Sequence, residues 1–85
     1  MERLMARLPT DDEMARIVLD IFKQNNCRPD HALGVREFVA YVNRSGGRYT
    51  MAEIGAGIDY GYSKGWLEDG PNHAIKLTQA GFDEM

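Results

Sequence analysis

Apolar residues recur three and four positions apart along most of this chain, and the period changes to alternation only near the end. Met1, Leu4, Met5 and Leu8 form the first stripe, the spacing of one face of a short helix. Pro9 closes it, because the residue before a proline is pushed out of the helical region. Thr10 and Glu13 then stand as the S/T-x-x-E pair of a capping box. Asp11 and Asp12 add negative charge in the first turn, where the helix dipole favours it. The helix they open is expected to bury Met14, Ile17, Val18, Ile21 and Phe22. Asn25, Asn26 and Pro29 stop it.

From Asp30 two readings stay open. Either Asp30 caps a helix directly, or His31 to Leu33 is a short extended piece with Gly34 as a turn. In both, Val35, Phe38, Val39 and Val42 make one apolar helical face that ends at Ser45-Gly46-Gly47. Thr50 and Glu53 repeat the capping box and open a helix over 50–65. Its expected inner face is Met51, Ile54, Gly55, Ile58 and Tyr62, with Trp66 continuing toward the same side. Its outward face is then Glu53, Ala56, Gly57, Tyr60, Ser63 and Lys64.

The tail reads as strand, tight turn and strand: Trp66-Leu67-Glu68, then Asp69-Gly70-Pro71-Asn72, then His73 to Leu77. Thr78 follows as the N-cap of a last short turn, 79–84. The predicted class is mainly α with a small β-hairpin, an α+β chain of a single domain over 1–85. Residues 1–9 are a helical extension, 10–65 a helical core, and 66–85 the hairpin and short C-terminal turn.

The length of 85 residues leaves room for one modest core, which a second subunit could complete. Ten basic against thirteen acidic residues give a net charge of −3. A general electrostatic attraction for nucleic acid is absent, so any DNA contact must come from a local patch. One cysteine, Cys27, excludes an internal disulfide and fits a reducing, cytoplasmic compartment. No apolar run approaches the roughly 18 residues of a membrane span, and Glu2, Arg3 and Arg7 break any signal-peptide pattern.

Three helices followed by a two-stranded hairpin is similar to the order of a winged helix-turn-helix domain of bacterial type. Gly65-Trp66-Leu67-Glu68 sits where such domains leave their third helix for the first wing strand. Leu77-Thr78-Gln79-Ala80-Gly81-Phe82 resembles the L-T-x-x-G segment that closes the wing. The resemblance covers about residues 10–82 and implies a three-helix core plus a two-stranded wing. It further implies double-stranded DNA as partner, as for a small transcriptional regulator, with the helix over 50–65 in the major groove. A winged helix used only for protein contacts is the alternative.

The residues singled out on that reading are Arg36, Arg44, Arg48, Thr50, Tyr60, Ser63, Lys64, His73 and Lys76. Arg44 and Arg48 bracket the Ser45-Gly46-Gly47 turn, so with Thr50 they are placed to clamp one phosphate. The competing reading is that Arg44 answers the dipole at the end of its helix. Lys64 alone on the outward face belongs to the types that read base edges. Residues 49–85 carry two lysines against six acids, and 1–48 carry eight basic residues against seven. The half that should meet DNA is therefore the more acidic one, which opposes generic phosphate binding.

Met1, Leu4, Met5 and Leu8 either pack back on the domain or bury themselves in a homodimer or against another partner. Gly57, Gly61 and Gly65, spaced by four, call for close approach of another backbone or a bend in the helix. Enzymatic chemistry is not expected. Cys27 and His31 are separated by Pro29, no second base or oxyanion donor is evident, and no spacing suits a metal or a phosphate-binding loop. No cofactor is implied.

Overall fold

Two threonines start the two long helices by the same device. In the computed structural model, which describes residues 9–85, Thr10 Oγ1 accepts from the Glu13 backbone at 3.1 Å while Glu13 Oε1 accepts from the Thr10 N–H at 2.7 Å. Thr50 and Glu53 make the same pair at 3.1 and 2.9 Å. Each box satisfies donors that a helix start leaves orphaned. They open α1 (Asp11–Gln24) and α3 (Met51–Ser63). The Met1, Leu4, Met5 and Leu8 stripe lies outside the described residues.

Both helices stop in the same way as well. Past α1, Asn26 takes a left-handed φ of 58°, and Cys27 N–H donates to Phe22 O at 3.0 Å. Past α3, Gly65 takes φ 76°, and Trp66 N–H donates to Gly61 O at 2.9 Å. These are Schellman ends, in which the chain turns back on the last helical turn. Gly65 thus lies beyond the helix, two residues after the last helical position.

Between them run β1 (Ala32–Leu33) and α2 (Val35–Arg44), and after them β2 (Leu67–Asp69), β3 (Ile75–Leu77) and α4 (Gln79–Glu84). The extended reading of His31 to Leu33 therefore holds, with Gly34 as the N-cap of α2. The sheet has three antiparallel strands in the order β1-β3-β2, one more than the expected hairpin. Ala32 pairs with Lys76 and Leu33 with Ile75 on one side of β3, and Leu67 pairs with Leu77 on the other. A two-residue strand carries no period of its own, and only its pairing with β3 defines it. The hairpin loop is also wider than a tight turn, because Pro71–His73 forms one 3-10 turn with Asn72 and His73 left-handed.

The core lies where α1 meets α3, α2 and the sheet. It holds Met14, Ala15, Val18, Leu19, Ile21 and Phe22 of α1 with Phe38, Ile54, Trp66, Leu67 and Leu77. Ile17 is only half-buried, and Ala15 and Leu19 widen the expected face of α1. Two other faces are rotated from expectation. On α2, Phe38 is buried against Phe22 with ring centroids 6.0 Å apart, while Val35 is 58% and Val39 37% exposed. On α3 the buried positions are Ile54, Gly57 and Gly61, not Met51 and Gly55. Gly57, set against the α1 backbone at Met14, and Gly61, set against Leu67 of β2, turn the face away from its bulkiest side chains.

Thr78 ties the C-terminal end down. Its Oγ1 accepts from Gly81 N–H at 3.1 Å and donates to Gly65 O at 2.6 Å, and its N–H donates to Trp66 O at 3.1 Å. Gly81 is buried over the Trp66 carbonyl, where a Cβ has no room. Among the described residues, no helix is long and apolar enough to cross a membrane.

Candidate functional site

The turn between α2 and α3 is built on Ser45. Its Oγ donates to Val42 O at 2.6 Å and accepts from Tyr49 N–H at 3.4 Å, while Gly46 and Gly47 supply left-handed φ values of 67° and 90°. This fold-back sets Tyr49 on Tyr41, with ring centroids 6.0 Å apart and planes 22° from parallel. Around the stacked pair lies a recess of about 270 Å³ lined by Gln24, Tyr41, Arg44, Ser45, Arg48 and Tyr49. Arg44 and Arg48 are thus brought together, both exposed and neither in an ion pair with an acid of the described residues. Burial pushes the Tyr41 hydroxyl pKa up, helped by Tyr49 and Asp20, while the charges of Arg48 and Arg44 pull it down.

The other two members expected at this turn stand apart from the recess. Arg36 is in the first turn of α2, about 12 Å along the axis from Arg44 at 1.5 Å per residue. Thr50 has its hydroxyl in the capping box, and the Glu53 carboxylate accepts from the Thr50 N–H and hydroxyl at the start of α3. An incoming phosphate would meet that carboxylate at the helix start.

The expected groove-facing side chains are also mostly engaged. Tyr60 is half-buried against the core, edge-on to Trp66 at 6.0 Å, and so does not face outward. Gly57, placed on the outward face by the sequence, is buried. Lys64 Nζ lies 5.9 Å from the Tyr60 ring, and Ser63 Oγ donates to Tyr60 O at 2.7 Å. Lys76 Nζ pairs with Glu68 Oε2 across β2 and β3 at 3.2 Å. His73 is exposed on the loop, beside a strand that also carries Asp69. Tyr62 Oη donates to Asp69 Oδ1 at 2.9 Å, and burial, with the charges of Asp69 and Asp59, pushes its pKa up to about 12.

With Ile54, Gly57 and Gly61 inward, the opposite strip of α3 is Ala52, Gly55, Ala56, Asp59 and Ser63. It holds no Arg, Lys, Asn or Gln, the types that read base edges. Ala52 and Ala56, one turn apart, instead wall an apolar recess of about 250 Å³ with Pro9, Asp11, Met14 and Glu53. Nearby along the sequence, Met51 is 38% exposed.

Sequence reasoning missed Tyr41, Tyr49 and Gln24. The signal for the tyrosines was present, since Tyr41 precedes Arg44 by one helical turn and Tyr49 adjoins Arg48, an interleaving of aromatic and basic residues. Gln24 reaches the site only through the packing of α1. Elsewhere, His31 Nδ1 accepts from the Arg28 N–H at 3.1 Å, and Cys27 is buried with its thiol pKa pushed up by that burial and by Glu37. Among the described residues no cluster of His, Cys, Asp or Glu is arranged to hold a metal ion. Comparison with protein-family models, curated proteins and solved structures returns no match.

Proposed function

We propose that this chain is a winged helix-turn-helix module that works through protein contacts on the outward strip of α3. The winged-helix reading is supported by the order helix, strand, helix, helix, strand, strand, and by the central place of β3 between β1 and β2. A fold supports many functions, so the residues decide. The observation that carries the protein-contact reading is the composition of that strip: Ala52, Gly55, Ala56, Asp59 and Ser63. Small residues let a partner's backbone or an apolar side chain approach closely, whereas an aspartate in the middle repels a phosphate backbone. The buried, unpaired Cys27 fits a cytoplasmic setting.

Binding of double-stranded DNA, implied by the winged-helix resemblance, retains one support: Arg44 and Arg48 line one recess at the turn before α3 and pair with no acid among the described residues. Two measurements separate the readings. Anisotropy with a random duplex of about 25 base pairs at about 20 mM salt should show no saturable binding. A photo-crosslinking residue at Ala56 should give a discrete protein adduct in cells, and one at exposed Gln79 should give none. Micromolar duplex binding with a negative salt slope, or no adduct from Ala56, overturns the protein-contact reading. A second copy of this chain would appear as an adduct of twice its mass.

A further inference from the structure

We infer that the recess between the end of α1 and the α2–α3 turn is a binding site for a phosphate monoester on a small molecule. It lies away from the α3 strip, so it stands or falls independently of the protein-contact reading. Its lining holds two arginines, Arg44 and Arg48, and two tyrosines, Tyr41 and Tyr49, together with Ser45 and Gln24. Arginine offers a fixed fork of N–H donors that matches phosphate oxygens in pairs. Neither arginine is held by an acid of the described residues, whereas Arg16 and Lys76 both are.

Charge and size set the ligand class. A monoester near neutral pH carries about −1.5 to −2 charge, which two guanidinium groups balance. A phosphodiester of a nucleic-acid backbone carries half as much per phosphate. The volume of about 270 Å³ falls just under the range of about 300–1,000 Å³ for drug-sized ligands, which suits a small phosphorylated molecule.

Arg48 also lines a neighbouring recess with Glu13 and Glu53, whose carboxylates are engaged in the two capping boxes. Two further features oppose an anion here, and the structure blunts both. The C-terminal end of α2 is the negative end of its dipole, but Ser45 covers it, its N–H donating to Tyr41 O and Val42 O and its Oγ to Val42 O. Asp20 lies near Tyr41, and its Oδ2 already accepts from Gln24 Nε2 at 2.7 Å. The Tyr41–Tyr49 stack fixes the aromatic wall before a ligand arrives.

The test is a titration followed by amide and arginine Nε–H NMR shifts, with ribose 5-phosphate, inorganic phosphate, ribose, dimethyl phosphate and a blunt duplex with 5′-hydroxyl ends as probes. Ribose 5-phosphate and inorganic phosphate should give saturable shifts at Tyr49, Arg44 and Arg48 below about 10 mM, and ribose none. Arg44→Ala and Arg48→Ala should each weaken binding by about tenfold. Both side chains are exposed, so the variants should stay folded, and Arg36→Ala should bind as the parent does. The inference is overturned by the absence of saturable shifts, or by shifts that persist in the double variant. It is equally overturned if dimethyl phosphate or the duplex binds as tightly as ribose 5-phosphate, which would make a diester backbone the source of the phosphate.

Discussion

Gly57 of α3 lies directly on the backbone of Met14 in α1, so close that a Cβ on Gly57 would stand 2.5 Å from the Met14 carbonyl carbon and oxygen. A flexible side chain could swing aside, but a helix backbone cannot. Gly57→Ala must therefore push the two main helices apart, opening the contact around Met14, Val18 and Ile54. Overpacking of this kind costs about 1–3 kcal/mol. Urea denaturation measures it, and a midpoint equal to that of the parent would mean that the helix pair is not held at this distance.

Gly55, two residues earlier in the same helix, should respond with the opposite sign. Nothing lies within 4 Å of the position its Cβ would take. A glycine inside a helix costs about 0.5–1 kcal/mol relative to alanine, largely through the freedom it gives the unfolded chain. Gly55→Ala should raise the unfolding free energy by that amount, seen as a higher urea midpoint. A loss of stability would place a neighbour over this part of α3, such as a second copy of the chain at the concentration used.

These two glycines mark where the sequence was legible and where it was not. Thr10, Thr50 and Thr78 announced their helices because a cap is a local event between residues three apart. The spacing of Gly57 and Gly61 left a close backbone approach or a bend open; Gly57 meets the Met14 backbone, while Gly61 meets the Leu67 side chain. The third member, Gly65, ends the helix instead. The faces of α2 and α3 were misjudged because hydrophobicity was read as inwardness. Val35, Val39 and Met51 are apolar and exposed, while the positions that face the core at Gly57 and Gly61 have no side chain to signal it. Strand β1 was ambiguous for a related reason, since its only partner lies more than forty residues away. At the candidate site, the arginines flanking a glycine turn were visible, and the stack of Tyr41 on Tyr49 depended on how that turn folds back.

Tyr62 should be among the last tyrosines to ionise. Burial, the hydrogen bond to Asp69 and the charges of Asp69 and Asp59 raise its pKa from 10.0 to about 12. A folded-state pKa above the unfolded one means that the stabilisation is complete below pH 10.0 and is lost as pH rises through about 12. Tyrosinate absorbance in the alkaline range should show this phenol titrating late. In Asp69→Asn its midpoint should fall only part of the way back, because burial, the largest cause, remains. An ordinary midpoint in the folded parent would mean that neither the burial of this phenol nor its bond to Asp69 is kept in solution.

Cys27 should behave as a core side chain toward thiol reagents. It is 7% exposed, and burial followed by the charge of Glu37 raises its pKa above the ordinary 9.0. The thiolate is the reactive form, so both access and ionisation are reduced. Modification by a disulfide reagent at mildly alkaline pH should be slow in the native protein and should accelerate sharply in urea. Equal rates in the two conditions would show that the loop after α1 opens far more easily than its backbone bonds to Phe22 and Lys23 indicate.

Thr78 gives the most direct test of how the C-terminal helix is held. Its hydroxyl both caps α4 and reaches the Gly65 carbonyl at the end of α3, so one oxygen links two elements thirteen residues apart. Thr78→Val keeps the branched shape and removes both bonds. Loss of an N-cap costs about 0.5–2 kcal/mol, and a further hydrogen bond contributes about 0.5–1.5 kcal/mol net. Because Gly65 is exposed, water can take over at its carbonyl, and the total should fall near the middle of the combined range. Thr78→Ser retains the hydroxyl and should recover most of the loss. Hydrogen exchange separates a local effect from a global one: amides of α4 and Trp66 should lose protection first, with Ile54 and Val18 following only as far as global stability falls. If the valine variant exchanges like the parent at α4, the helix is held by the packing of Gly81 and Phe82 alone, and the hydroxyl is incidental to it.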